Sequence, residues 1–209
     1  MAERLHYIYV DSGAMYRAVT LYFLDHEIDL NDRTAIEEAL DRIHINFLRT
    51  PSGLQTQLNG KTVEKEIRQM RVSGKVSPVA AISSVRRSMV RQQHKMAEEK
   101  GVVMDGRDIG TVVFPNAELK IFLKASPEVR AHRRFEELKA KGLTVSMDEV
   151  IGNLEERDRI DSTRADSPLR QADDAIVIDN THLTPDQQLQ IALDLAAERI
   201  SGKGLEKSG

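Results

Sequence analysis

The sequence predicts an α/β protein in which parallel strands alternate with helices, with a small antiparallel insert. The run Val102–Asp105 lies between two glycines and is apolar on both sides, as in a buried parallel strand. Segments with helical spacing of apolar residues separate it from other short apolar runs, which favours helices packed on both faces of a parallel sheet. Residues 44–63 instead alternate around two turns, which indicates an antiparallel meander.

Composition excludes several classes of protein. The chain has 209 residues, of which 40% are hydrophobic, so it can bury a core. The formal net charge of −3 is less basic than expected of a protein that binds duplex nucleic acid. Cysteine is absent, which excludes disulfides and thiolate chemistry. No apolar stretch has the length of a membrane span and no signal-peptide pattern is present, so we expect a cytoplasmic protein without membrane association.

The first half of the chain contains a strand, two helices and the meander. His6–Val10 is β-branched and aromatic and ends at a turn, which predicts a strand. Apolar spacing predicts a helix over residues 14–26, and Asp32 is a suitable N-cap for a second helix that ends near Ile43. Asn59-Gly60 between alternating runs is a strong hairpin signal.

The second half alternates helices and strands. A short helical piece over residues 64–70 precedes a long helix that begins at Ser77 or Pro78 and ends near Lys100. Capping residues predict the later helices: Ser126 before Pro127, the pair Ser146 and Glu149, and Thr184 before Pro185. The remaining strands are predicted at Val102–Asp105, Leu119–Leu123 and Ala175–Asp179.

Polar motifs follow the predicted strands at their carboxyl ends, where ligands bind in parallel α/β sheets. The first motif is Asp11-Ser12-Gly13, with Arg17 one helical turn later. A serine at a helix N-terminus followed by an arginine is suited to an anion. The alternative is a simple N-cap beside a surface arginine.

The second motif is the glycine-containing run Asp105–Thr111. Glycines at 106 and 110 allow a ligand to approach the backbone closely. Arg107 offers a planar fork suited to phosphate, and Asp108 offers two acceptor oxygens for an amino group. The alternative is a tight surface turn with a local ion pair.

The third motif lies on a predicted helix over residues 146–161 and just beyond it. Arg157, Asp161 and Arg164 are spaced i, i+4 and i+7, so they share one helix face. Such a stripe can hold a phosphorylated sugar through guanidinium and carboxylate groups. The alternative is a solvated face with internal ion pairs.

Single polar residues elsewhere are more simply explained as structural. Ser77 and Arg86 flank the start of the long helix, and Arg130 and Arg134 form a basic stripe that could reach a triphosphate. The six histidines do not cluster, so no metal site is predicted.

Taken together, the motifs closely resemble those of bacterial cytidylate kinases. The matching stretches occur in the same order along nearly the whole chain: Asp11–Arg17, Asp105–Pro115, Arg157–Arg164 and Ala172–Asp179. The resemblance implies the nucleoside monophosphate kinase version of the P-loop fold. It implies a core of residues 1–39 and 77–209, a mobile lid around 130–165 and a monophosphate-binding insert over residues 40–76.

The resemblance also implies the reaction and the roles of site residues. ATP, with Mg²⁺, would phosphorylate CMP or dCMP to give CDP or dCDP, and we expect a monomer that binds these nucleotides and no nucleic acid. The implied catalytic residues are Arg107, Arg157 and Arg164. Arg17, Arg107 and Arg164 would hold the monophosphate near Ser12, and Arg157 and Asp161 would hold the ribose. The implied cytosine-reading residues are Ser77, Arg86 and Asp108, and the implied ATP-lid residues are Arg130 and Arg134.

One feature of the family is missing from the sequence. No G-x-x-x-x-G-K-[ST] motif occurs, and Ser73–Ser77 has the wrong spacing for one. The first strand and phosphate loop of the family are therefore expected to be absent. Either the natural protein is longer than this sequence, or the chain is a degenerate homologue that binds CMP without catalysis. A kinase of the same fold with a different acceptor is a third reading.

Overall fold

The computed structural model describes residues 1–51, 53–98, 101–140 and 142–202. None of the helices within those ranges is long and apolar enough to cross a bilayer. The helices are α1 (Ala2–Leu5), α2 (Ser12–Asp25), α3 (Arg33–Asp41), α4 (Met70–Ser73), α5 (Val76–Ala80), α6 (Ser83–Met96), α7 (Pro127–Ala140), α8 (Met147–Thr163) and α9 (Pro185–Ile200). The strands are β1 (Ile8–Asp11), β2 (Ile45–Thr50), β3 (Gly53–Leu58), β4 (Lys61–Thr62), β5 (Val102–Asp105), β6 (Ile121–Lys124) and β7 (Ile176–Asp179).

The chain divides into two compact units. The first unit consists of residues 2–109 and 159–169, and the second of residues 110–158 and 170–209 together with Met1. Helix α8 contributes to both, because residue 158 belongs to the second unit and residue 159 to the first.

The described part of the first unit contains a parallel sheet and an antiparallel sheet. Strands β1 and β5 pair in parallel, and their last residues, Asp11 and Asp105, are register partners. Strands β2, β3 and β4 form the antiparallel meander. Helix α2 supplies much of the buried core, including Met15 and Val19, which are both fully buried. The predicted α/β class with a small antiparallel insert is confirmed.

Within its described residues, the second unit has its own parallel pair of strands, and it contains α7, α9 and part of α8. Strands β6 and β7 pair in parallel over their whole length. Helix α9 begins with a complete capping box between Thr184 and Gln187, and Ser146 and Glu149 exchange hydrogen bonds at the start of α8. These local caps confirm the predicted helix starts.

The long helix predicted from Ser77 or Pro78 to Lys100 is wrong in two respects. The structure has two helices there, α5 and α6, and the second ends at Met96. Ile82 is extended between them, with φ −73° and ψ 120°. The Nη1 group of Arg86 donates a 3.0 Å hydrogen bond to the carbonyl of Ala80, so this side chain of α6 satisfies a carbonyl at the end of α5.

The parallel strands are less buried than their apolar sequences predict. Ile8 is 43% exposed and Leu123 is 50% exposed, whereas Val102 and Val103 are half-buried. Each parallel sheet among the described residues has two strands, so every strand has one edge without a hydrogen-bonded neighbour. Full burial of such strands requires neighbours on both edges and cover on both faces.

A charged network ties the meander to the turn that follows it. Glu64 accepts hydrogen bonds from the backbone N–H and the hydroxyl of Thr56, at 3.0 and 2.7 Å. Its other oxygen accepts from Nε of Arg68 at 2.7 Å. Burial opposes ionisation of Glu64, but the hydrogen bonds from Thr56 and Arg68 outweigh it and hold the pKa below its ordinary value.

We expect Glu64→Gln to lower the free energy of unfolding by about 1 kcal/mol at pH 7, since charge-assisted hydrogen bonds are lost from a mostly buried group. A carboxyl group with a lowered folded-state pKa stabilises the fold above its ordinary pKa of 4.5. This contribution is lost as pH falls through the lower, folded-state pKa. The difference between variant and wild type should therefore shrink in acid, as measured by urea unfolding across pH.

Glu37→Gln is the control for this substitution. Glu37 also pairs with an arginine four residues away, but both side chains are mostly exposed, so the change should stay within about 0.5 kcal/mol. Equal destabilisation by the two substitutions would contradict a stabilising role for the hydrogen bonds that Glu64 accepts from Thr56 and Arg68.

Candidate functional site

The polar motifs of the first unit lie where β1 and β5 end. Because Asp11 and Asp105 are register partners of two parallel strands, helix α2 after Asp11 and the segment after Asp105 begin at the same edge of the sheet. The side chain of Ser12 is 3% exposed and approaches Gly106. This arrangement is the one expected for ligand sites in parallel α/β sheets.

Asp11 organises the first group of charges. Its Oδ1 accepts a 2.7 Å hydrogen bond from the backbone N–H of Ala14, so Asp11 is the N-cap of α2, and the alternative in which Ser12 caps the helix is wrong. Its Oδ2 accepts from Nη2 of Arg17 at 3.3 Å and lies 3.8 Å from Nη2 of Arg68. We call Asp11, Arg17 and Arg68 the Asp11 cluster.

Arg17 is not the surface residue of the simpler alternative, because 19% of its side chain is exposed. Burial lowers the pKa of Arg17, and the charge of Arg68 lowers it further, whereas Asp11 raises it. Gly13 allows the arginine to fold back over the start of α2, since a Cβ atom there would lie 3.2 Å from Nη1 of Arg17.

Asp108 and Arg86 form a buried ion pair. Nη2 of Arg86 donates to Oδ2 of Asp108, and the two side chains are 2% and 4% exposed. The guanidinium carbon of Arg86 lies 5.3 Å from the centroid of the Tyr16 ring, within cation–π range. Burial raises the pKa of Tyr16 to about 12. Asp108 is therefore buried, and the alternative of a tight surface turn at the motif Asp105–Thr111 is wrong for this residue. We call Asp108, Arg86 and Tyr16 the Asp108 cluster.

Asp161 joins two arginines from different motifs. Its Oδ2 accepts from Nε of Arg107 at 3.0 Å, and its Oδ1 accepts from Nη1 of Arg164 at 3.4 Å. Asp161 and Arg164 are almost fully buried, whereas Arg107 is 46% exposed. Arg164 lies just beyond α8, where its Nε donates to the carbonyl of Ser167. Burial lowers the pKa of Arg164, and the charge of Arg86 adds to this effect.

Three buried guanidinium nitrogens in the first unit lack a hydrogen-bond partner among the described residues. They are Nε of Arg17, Nε of Arg86 and Nη2 of Arg164. Buried polar groups are nearly always hydrogen-bonded to protein, water or ligand. The three donors therefore mark positions where an acceptor from outside the described residues can bind.

Ser77, Arg157 and the predicted lid residues Arg130 and Arg134 are outside the three groups of charges described above. Ser77 is 6% exposed within α5, and Arg157 is half-buried on α8. In the second unit, Arg130 pairs with Asp158 at 2.7 Å, and Arg134 pairs with Glu137 at 2.8 Å.

The sequence predictions missed two groups of residues around these charges. Asp11 and Tyr16 stood inside the first motif but were not assigned roles, although Asp is among the strongest N-cap residues. Glu64 and Arg68 were also missed. Their i, i+4 spacing is visible in the sequence, but it signals only a local ion pair and gives no sign that Arg68 reaches Asp11.

We expect Asp108→Asn to destabilise the protein by about 3–5 kcal/mol, because it leaves the buried charge of Arg86 without its counterion. The measurement is urea unfolding at pH 7. Asp25→Asn is the matched control, since Asp25 pairs with Arg71 and both side chains are 47% exposed. The control should change stability by less than about 0.5 kcal/mol, and a similar small effect of Asp108→Asn would refute the buried pair.

Gly106→Ala should destabilise the protein by about 1–3 kcal/mol through steric overlap. A Cβ atom at Gly106 would lie 2.8 Å from Cδ1 of Ile109 and closer still to Oγ of Ser12. Gly152→Ala is the control, because nothing lies within 4 Å of a Cβ atom there and the residue is inside α8. That substitution should stabilise by about 0.5–1 kcal/mol. Thermal melts of the two variants that shift in the same direction would contradict the close approach of Ser12 and Ile109 to Gly106.

Comparison with known proteins identifies the family of this chain. The Cytidylate kinase family model matches residues 1–198. A cytidylate kinase of Parabacteroides distasonis is 55% identical over 193 residues, which cover 90% of this chain and 84% of the relative. The cytidylate kinase of Porphyromonas gingivalis is 55% identical over 194 residues, with the same shares covered. That of Cytophaga hutchinsonii is 50% identical over 202 residues, which cover 96% of this chain and 86% of the relative. The chain belongs to the cytidylate kinase family.

Proposed function

We propose that the protein binds CMP or dCMP and transfers a phosphoryl group to it from ATP, giving CDP or dCDP. The observation that carries the proposal is the set of three buried arginine nitrogens without partners, on Arg17, Arg86 and Arg164. They come from three separate stretches of the chain, and a nucleotide offers acceptors to all of them. The names of the relatives support the same acceptor.

The Asp108 cluster is suited to the cytosine base. Cytosine presents an amino donor beside ring-nitrogen and carbonyl acceptors. In our proposal Asp108 accepts from the amino group, Arg86 donates to the acceptors, and Ser77 lines the same subsite. The ion pair between Arg86 and Asp108 fixes both side chains before the ligand arrives. Uracil places a carbonyl where cytosine has its amino group, so an acceptor of the base would face an acceptor oxygen of Asp108 with no proton between them.

The arginines around Asp161 and Asp11 are suited to the sugar phosphate. Arg17, Arg107 and Arg164 would bind the monophosphate near Ser12, and Asp161 with Arg157 would bind the ribose. Asp161 is already paired with Arg107 and Arg164, so the phosphate would take over partners that the carboxylate holds in the free protein. A carboxylate oxygen is then available to accept from the 2′-hydroxyl of a ribonucleotide.

Phosphoryl transfer requires positioning and positive charge more than covalent chemistry. A phosphate oxygen of CMP bonds to the γ-phosphorus of ATP, and the bond from that phosphorus to the β,γ-bridging oxygen breaks to release ADP. ATP enters as its Mg²⁺ complex. Arg107, Arg157 and Arg164 would stabilise the negative charge of the transferred group. Arg130 and Arg134 would contact the triphosphate from a lid around residues 130–165.

The remaining sequence predictions fit this function. Residues 40–76, which contain the meander of β2, β3 and β4, would form the monophosphate-binding insert. The monomeric state, the cytoplasmic location and the absence of nucleic-acid binding stay predictions.

A second candidate function is CMP binding without catalysis. It is favoured by one observation, the lack of a G-x-x-x-x-G-K-[ST] motif in the 209 residues. That motif supplies backbone N–H groups, a lysine and a hydroxyl to the donor phosphates, whereas the acceptor groups described above do not depend on it.

The two functions are separated by calorimetry and a coupled assay of ADP release. We expect the 209-residue chain to bind CMP and to bind UMP at least about 100-fold more weakly, because a mismatched base leaves buried polar groups unpaired. AMP is the control for base size. ADP release is measured with CMP on this chain, and on a form that begins at an earlier in-frame start where the gene has one.

CMP-dependent ADP release by either form supports the kinase. Binding of CMP with no turnover by either form supports the second candidate. A folded chain that binds CMP no better than UMP and AMP would overturn both.

A further inference from the structure

The insert places an arginine at the Asp11 cluster that neither the sequence motifs nor the proposed roles include. Arg68 ends a short 3₁₀ turn over Glu66–Arg68, after the meander. Its Nη2 lies 3.8 Å from Oδ2 of Asp11, the same oxygen that accepts from Nη2 of Arg17 at 3.3 Å. Two guanidinium groups from different segments therefore converge on one carboxylate oxygen.

From this convergence we infer that Arg68 is a phosphate-binding residue, which contacts the monophosphate together with Arg17. The inference rests on the proposed function, since it deepens the site assigned to CMP. Oδ2 of Asp11 occupies the position of an oxyanion between two planar guanidinium forks. A phosphate oxygen beside it is within reach of both arginines, and arginine forks match phosphate oxygens in charge and geometry.

The orientation of Arg68 is set by the insert. Its Nε and Nη2 lie 2.7 and 2.6 Å from Oε1 of Glu64, and Glu64 is itself held by Thr56 of β3. The guanidinium is 43% exposed, so a ligand can reach it. Glu64 thus positions the arginine, while a guanidinium has five N–H donors and can bind further acceptors.

A purely structural role for Arg68 makes a different prediction from phosphate binding. If Arg68 only neutralised Asp11 and Glu64, its loss would weaken every ligand of the site to a similar degree. If it binds the phosphate, its loss weakens CMP and leaves cytidine, which has the same base and sugar but no phosphate, unchanged. The ratio of the two affinities separates the roles.

The test is calorimetric titration of CMP and of cytidine into the wild-type chain, Arg68→Gln and Arg68→Lys. We expect Arg68→Gln to weaken CMP about tenfold, since a charge-assisted contact is lost, with no change for cytidine. Arg68→Lys should weaken CMP less, because it keeps the charge and loses the fork. Raising the salt concentration should narrow the difference between wild type and Arg68→Gln.

Arg71→Gln is the matched control. Arg71 lies three residues later, is 47% exposed and pairs with Asp25, away from Asp11. It should bind both ligands as the wild type does. Melting curves of all variants establish that each is folded at the temperature of the titration.

Three outcomes overturn the inference. They are equal loss of CMP and cytidine affinity in Arg68→Gln, unchanged CMP affinity in that variant, and an equal effect of Arg71→Gln. If the wild-type chain itself does not bind CMP, the proposed function fails and the inference falls with it. If the wild type binds CMP and Arg68→Gln matches it, only the role of Arg68 is overturned.

Discussion

The buried ion pair between Arg86 and Asp108 constrains the rest of the first unit. Removing two charges from water costs several kcal/mol for each ion, and this cost is offset only when geometry and further hydrogen bonds are good. Arg86 meets that condition by also bonding the carbonyl of Ala80 and lying over the Tyr16 ring. One side chain thereby fixes α5, α6, α2 and the loop after β5 relative to one another.

In the free protein, most of the arginines predicted to bind the ligand form ion pairs with carboxylates. Arg17 pairs with Asp11, Arg86 with Asp108, and Arg107 and Arg164 with Asp161. An unpaired buried arginine would be costly, so the pairs allow the fold to hold several cations near one sheet edge. In the proposed site, an anionic ligand would therefore take over arginines from these carboxylates. Only the three buried donors without a partner among the described residues would form hydrogen bonds that replace no existing one.

Local chemistry explains which features the sequence could predict. The caps at Asp32, Ser146 and Thr184 and the Asn59-Gly60 turn depend on neighbours within a few residues, and all were predicted. The break at Ile82 was not, because no glycine or proline occupies residues 79–84 to mark it. The convergence of Arg68 on Asp11 was missed because the two residues lie 57 positions apart and no pattern within either segment indicates their contact.

In the proposed site, the position of Asp161 would couple recognition of the sugar to recognition of the phosphate. In the free protein its two oxygens accept from Arg107 and Arg164, which are the arginines proposed for the phosphate. A phosphate that draws either arginine away frees a carboxylate oxygen within an almost fully buried side chain, and a buried oxygen without a donor is costly. A 2′-hydroxyl supplies that donor and a 2′-deoxyribose does not. In the proposed site, the contributions of phosphate and hydroxyl to binding would therefore not be additive, because one carboxylate serves both.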